Sequence, residues 1–198
     1  MIFDDIKSGA EVLDEDFNLI YPKYAQKVAK RHFSPIKVAR LAALYLVKSK
    51  DTKILDVGSG VGKFCLIGAA CTEGSFFGIE QRKNLVGVAK RTAKRHSLTN
   101  ATFINANITT ISFKDFDAFY IFNPFYENIS TLEAIDYSVE LSSELFQEYS
   151  LYVREQLDTM PIGTRLATYF SFLVEVPDSY EIRFTAIDDK LKMWEKVS

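Results

Sequence analysis

Residues 54–64 read ILDVGSGVGKF: an apolar run holding one acid, Asp56, then glycines at 58, 60 and 62. Glycine at alternate positions lets a backbone reverse tightly and come against a ligand that any Cβ would hold off. A helix starting behind such a turn offers unpaired N–H groups to an anionic or carboxylate end. The nicotinamide fingerprint sets its third glycine one position later, so the glycines mark a ligand site without naming the ligand. Three later features extend the site. Glu80 follows FFGI roughly 20 residues past the glycines, where a carboxylate accepts hydrogen bonds from both hydroxyls of a ribose. Asn107, in FINANI, offers an amide to an adenine edge, or else forms a turn. Residues 122–125, FNPF, set an asparagine carbonyl and a proline between two aromatic rings.

These residues need a scaffold that brings distant strand ends together, and the chain supplies an alternating pattern. RHFSPIKVARLAALYLV predicts a helix capped by Ser34 with Pro35 at its first position, preceded by a short helix over residues 24–31. KILDVG, SFFGIE, ATFINA and DAFYIFN read as strands, and KFCLIGAAC and NLVGVAKRTAKRHS as the helices between them. A long helix is expected over about 132–158, then strands at TRLATYFSF, YEIRFTA and KLKMWEKV. The last two, joined at Asp188-Asp189, can only be an antiparallel hairpin. The sum is an α/β fold with a doubly wound, mostly parallel seven-stranded sheet and an antiparallel C-terminal strand. Ligands of such sheets collect outside the carboxyl ends of the strands, where every residue singled out above falls.

Composition sets the limits. With 198 residues, 47% of them hydrophobic and 25% charged, the chain suits one globular domain with a full core, with residues 1–33 as a helical N-terminal arm or lid. No apolar run spans a membrane and the start lacks the order of a secretory signal, so a cytoplasmic protein is expected. Cys65 and Cys71 stand far from any histidine cluster, so no metal site is expected and both read as small buried hydrophobes. A net charge of −2 argues against an overall grip on nucleic acid, yet the charge is uneven. Six acids crowd the first 20 residues, whereas residues 21–50 hold Lys23, Lys27, Lys30, Arg31, Lys37, Arg40, Lys48 and Lys50 with no acid. That stretch faces an anionic surface or is the solvated side of helices paired with the acidic arm.

Over residues 34–125 the chain resembles the class I S-adenosylmethionine-dependent methyltransferases: LDVGSGVG is similar to their first motif, Glu80 to their ribose-binding acid, and NAN to the loop flanking adenine, where Asp is commoner than Asn107. The resemblance implies a cofactor, S-adenosyl-L-methionine, held by Asp56, Gly58, Ser59, Gly60, Gly62, Glu80, Gln81, Asn107 and Ile108. FNPF is similar to the Asn-Pro-Pro-aromatic motif of amino-directed methyltransferases acting on adenine or glutamine, without its second proline. It also resembles the Asn-Pro-Phe strand end of bacterial relatives of the histone-core lysine methyltransferases. Either way Asn123, Pro124 and Phe125 become the catalytic residues, with Asn123 accepting a hydrogen bond from a nitrogen nucleophile that attacks the sulfonium methyl in line. Asn123 and Pro124 as a plain turn is the alternative at the residue level. At the functional level the alternatives are an NAD-type oxidoreductase and a cofactor-binding module without catalysis. The acceptor stays open among small molecules, protein side chains and nucleic acid presented by a partner. No membrane partner and no sequence-specific DNA binding by the chain alone are expected, and a homodimer is compatible with this reading.

Overall fold

A computed structural model describes residues 2–130, 132 and 134–198. Four short helices, α1 (Ile2–Ser8), α2 (Asp14–Asn18), α3 (Lys23–Gln26) and α4 (Ala29–His32), lead into α5 (Ile36–Leu46). Strands and helices then alternate: β1 (Lys53–Val57), α6 (Lys63–Cys71), β2 (Ser75–Glu80), α7 (Lys83–Arg95), β3 (Ala101–Asn105), β4 (Ala118–Ile121), α8 (Ser143–Asp158), β5 (Arg165–Tyr169), β6 (Tyr180–Ala186) and β7 (Leu191–Lys196). The sheet order is β3-β2-β1-β4-β5-β7-β6. Only β7 runs against its neighbours. The chain steps outward from β1 to β3 and then restarts on the other side of β1, so the switch point lies between the carboxyl ends of β1 and β4.

Strand alternation builds two cores. In β1, Ile54 packs with the face covered by the N-terminal helices, α5 and α6, while Leu55 and Val57 pack with the face covered by α8. Helix α6 is apolar all round and buried along nearly its whole length, as a helix sandwiched between α5 and the sheet must be. Its polar first residue, Lys63, is 3% exposed and donates to the carboxylate of Asp14 and, at 2.9 Å, to Asn18 Oδ1. The same Asp14 oxygen accepts the N–H of Ile36 at 3.0 Å, so one acid ties α2 to the starts of both α5 and α6.

The structure corrects several sequence expectations, among them the strand expected through TRLATYFSF, which ends at Tyr169. Ser34 does not cap α5: its hydroxyl pairs with that of Tyr120 at 2.8 Å, and Asp14 reaches across to take the first helical N–H instead. The helix over 24–31 is broken at Lys27 and Val28 into α3 and α4. The long helix starts only at Ser143, where the Ser142 side chain caps it by accepting from Leu145 N–H; Glu133, within the expected range, lies outside the described residues, as does Met1 of the expected arm. The final hairpin turns through four residues rather than two, three of them with positive φ.

Candidate functional site

A cavity of about 520 Å³ opens where the carboxyl ends of β1 to β5 converge. It gathers Gly58, Gly60, Glu80, Gln81, Asn107, Ile108, Asn123, Pro124 and Phe125 on one surface, nine of the residues the sequence singled out. Asp56, Ser59 and Gly62 are not on it. Asp56 and Ser59 line a much smaller adjoining cavity with His32, Ser34, Lys63 and Tyr120.

The three glycines have different tasks. All have positive φ: +73° at Gly58, +54° at Gly60 and +79° at Gly62. A Cβ on Gly58 would strike Pro124 Cβ at 2.6 Å, so this glycine lets the β4 loop close on the turn. A Cβ on Gly62 would sit 2.4 Å from the Phe103 ring, so its bareness serves helix–sheet packing. Among the described residues nothing lies within 4 Å of a Cβ on Gly60, which lines the cavity. A ligand laid on this turn meets Gly60.

Glu80 is buried at the end of β2. Its Oε2 accepts from Gly60 N–H at 3.1 Å and its Oε1 from Arg82 N–H at 2.8 Å. Burial raises its pKa, and those N–H groups together with the Arg82 charge pull it back. Two bonds leave further lone pairs on both oxygens, the acceptors a diol requires. Asp56, on the other side of the turn, takes a weak bond from Cys65 Sγ at 3.4 Å. Burial pushes its carboxyl up to about 7, eased by Cys65 and reinforced by the Glu80 charge.

Asn107 sits where expected but is already committed. Its Oδ1 accepts from Thr109 N–H and hydroxyl at 3.0 and 3.1 Å, capping a short 3-10 helix, and its amide donates to the Tyr149 hydroxyl at 2.9 Å. Asn123 is the reverse case. Its Oδ1 is buried with no hydrogen-bond partner among the described residues, and its backbone holds φ +40°, in the left-handed region. Buried acceptors without partners are uncommon, and their exceptions concentrate at functional sites. Phe125 is buried against Tyr149, with ring centroids 5.5 Å apart.

Sequence reasoning missed the clamp that shapes this wall. Arg82, 3% exposed, forks onto Glu127 at 2.6 and 2.8 Å and reaches Asp136 at 2.9 Å, while Ile135 N–H donates to Glu127 Oε2 at 3.2 Å. The β4–α8 loop is thereby fastened to the end of β2. The available signal was one of position: Arg82 stands two residues past Glu80, and Glu127 four past Asn123. Also missed were Tyr169 at the end of β5 and Phe170 and Phe172 after it; Val28, Lys30, Arg31, His32 and Phe33, which complete the cavity, belong to the stretch expected as an arm or lid but were not singled out as site residues.

Comparison with known proteins speaks to the family and the fold. Residues 48–152 match the model of a family described as "Methyltransferase domain". No curated protein matches the sequence. Among solved structures, TrmN from Thermus thermophilus superposes with a TM-score of 0.61 at 18% identity, covering 87% of this chain and 52% of that one. An RNA methyltransferase from Salinibacter ruber, solved with S-adenosyl-L-homocysteine, gives 0.58 at 17%, covering 83% and 94%. The [4+2]-cyclase SpnF gives 0.51 at 23%, covering 67% and 43%. At these identities the likeness is one of fold, and a cyclase among the neighbours illustrates that this fold hosts more than one chemistry. The chain spans about half the length of TrmN.

Proposed function

The chain belongs to the methyltransferase-domain family, and on that premise we propose that it transfers a methyl group from S-adenosylmethionine to a nitrogen of an acceptor seated on Asn123. When bound, S-adenosylmethionine supplies an electrophilic methyl on a sulfonium that is its own leaving group. The residues present fit that molecule: Gly60 leaves open the space a Cβ would fill, Glu80 keeps lone pairs for two hydroxyls, and Ile79, Leu85, Ala106 and Ile108 line an apolar slot for a flat ring. Gly58, Gln81 and Asn107 complete this half of the cavity, while Gly62, Asp56 and Ser59 act from behind the turn.

No nucleophile of the protein is needed, so its contribution is orientation, which is worth about 7–11 kcal/mol when reacting atoms are held close and aligned. Asn123 Oδ1 accepts one N–H of the acceptor and so turns the nitrogen lone pair toward the donor half of the cavity. Pro124 fixes the loop against Gly58, and Phe125 walls the pocket with Phe122, Tyr126 and Tyr169, rings that suit a planar or cationic group. The observation that carries this reading is the buried, unpartnered Asn123 oxygen on a strained backbone beside the glycine turn. Tritiated methyl transfer from labelled S-adenosylmethionine into a fractionated lysate tests it without a guess at the acceptor. The expected result is enzyme-dependent label bound through nitrogen; label only on oxygen or carbon acceptors overturns the role of Asn123.

A further inference from the structure

The cavity has two lips of opposite character. On one side stand Val28, Lys30 and Arg31, at the head of the acid-free residues 21–50, with Lys27 and Lys30 exposed. The loop after β5, also lining the cavity, presents Phe170 and Phe172, 51% and 55% exposed, and Tyr126 packs on Phe172 with centroids 5.6 Å apart. This second loop is built inside out. Glu175 is 1% exposed and accepts from the Ser171 hydroxyl at 2.9 Å, that hydroxyl accepts Leu173 N–H at 2.9 Å, and Phe170 and Leu173 hold φ of +48° and +67°. Burying an acid and straining two bulky residues in order to hold phenylalanines in water is unfavourable unless the rings meet something.

The basic lip says what. From the methyltransferase reading, on which this rests, we infer that the acceptor nitrogen is presented by a single-stranded nucleic acid whose bases stack on Phe170 and Phe172 and whose phosphates lie along Lys27 and Lys30. Acidic groups near the path are partly offset: Glu127 and Asp136 share the single charge of Arg82, which leaves one net negative charge on that wall, and Asp188 pairs with Lys190, whose ammonium lies over the Phe170 ring at 5.6 Å. Exposed rings facing exposed cations are the common arrangement for unpaired strands, because every base has a face to stack. A base still paired in a duplex cannot reach the floor of a recessed cavity.

Fluorescence anisotropy with a labelled 12-nucleotide dA strand tests the inference, with the corresponding duplex and polyglutamate as competitors. The strand should bind and resist both. Lys27→Gln with Lys30→Gln should weaken binding at least tenfold and flatten the slope of log affinity against log salt by about 1.4, at about 0.7 per phosphate contact. Phe172→Ala should weaken binding at least fivefold with the slope unchanged. Equal displacement by polyglutamate, preference for duplex, or no effect of either variant overturns the inference. Calorimetry with S-adenosylmethionine on the same sample separates the two readings: strand binding absent while the donor binds sinks this inference alone, and donor binding absent sinks the methyltransferase reading as well.

Discussion

Asn123 tolerates its left-handed backbone better than most residues would, because a short polar side chain is the least costly non-glycine choice there. Glycine goes further and removes the amide while relieving the strain, so Asn123→Gly isolates the acceptor oxygen from the turn. This variant should bind S-adenosylmethionine within about threefold of wild type and lose on the order of 10²-fold in kcat on the labelled fraction, a loss of orientation rather than of binding. Parallel losses in calorimetric affinity and in rate would make the residue structural. Asp56 gives a second residue-scale prediction, on stability. Its folded carboxyl titrates at about 7 against 3.8 in the unfolded chain, with burial the leading cause. Between those values the native state holds the proton that the unfolded state has released, so the contribution of this group is full below pH 4 and falls as pH rises toward 7. The loss is on the order of 4 kcal/mol from this group, and Glu80, raised by burial too, adds with the same sign. Urea midpoints at pH 5 and pH 8 should therefore favour the acid side, and Asp56→Asn should shrink that difference.

At the scale of elements, the N-terminal helices depend on one acid. Lys63 is buried where water cannot compensate it, and burial lowers its pKa against the pull of Asp14. Asp14→Ala leaves that ammonium with the Asn18 oxygen and the Phe17 ring, 5.1 Å away, and also strips the first N–H of α5, so a loss of about 1.5–3 kcal/mol in denaturant unfolding is expected. Lys63→Met keeps the stem's volume and removes the charge that needs a partner, so it should cost much less. A result in the opposite order would show that the pair itself, rather than its breaking, holds the arm. What the sequence made legible follows the same physics. KFCLIGAAC and SFFGIE match α6 and β2 in their bounds because both are largely buried apolar runs, and YEIRFTA matches β6, an exposed edge strand, because its aromatic and β-branched residues end at a tight turn. Ser34 misled because its hydroxyl had a distant competitor in Tyr120, and the segment before Ser143 misled because an apolar period does not reveal that Arg82 and Glu127 pin it as a loop. Among site residues, Gly58, Gly60 and Glu80 were readable because a bare backbone and an acid at a strand end have few other uses. The aromatic lip after β5 has the alternating FSF of a strand, and only the positive φ at Phe170 ends it.

For the whole molecule the question is whether the converging strand ends act as one binding unit. The cavity draws walls from the N-terminal helices, the glycine turn, the Arg82-fastened loop and the loop after β5, elements far apart in the chain. A ligand that bridges them binds the folded state and has nothing comparable to hold in the unfolded one. Its effect is then RT ln(1 + [L]/Kd), about 2.7 kcal/mol at a hundredfold excess over Kd. At about 2–4 °C per kcal/mol for a chain of this size, S-adenosylmethionine and S-adenosylhomocysteine should each raise Tm by about 5–11 °C. NAD and NADP should leave it unmoved, because the glycine spacing is not the dinucleotide one. Gly60→Ala sharpens the test. Its added methyl meets no protein atom within 4 Å, so beyond the strain of a left-handed alanine, about 1–2 kcal/mol, the fold has no reason to object. A variant that unfolds cooperatively a few degrees below wild type and no longer responds to S-adenosylmethionine places the ligand on that turn. A variant that still gains the full shift moves the ligand elsewhere in the cavity, and a wild-type protein that gains stability from NAD instead turns the glycine turn and Glu80 over to dinucleotide chemistry.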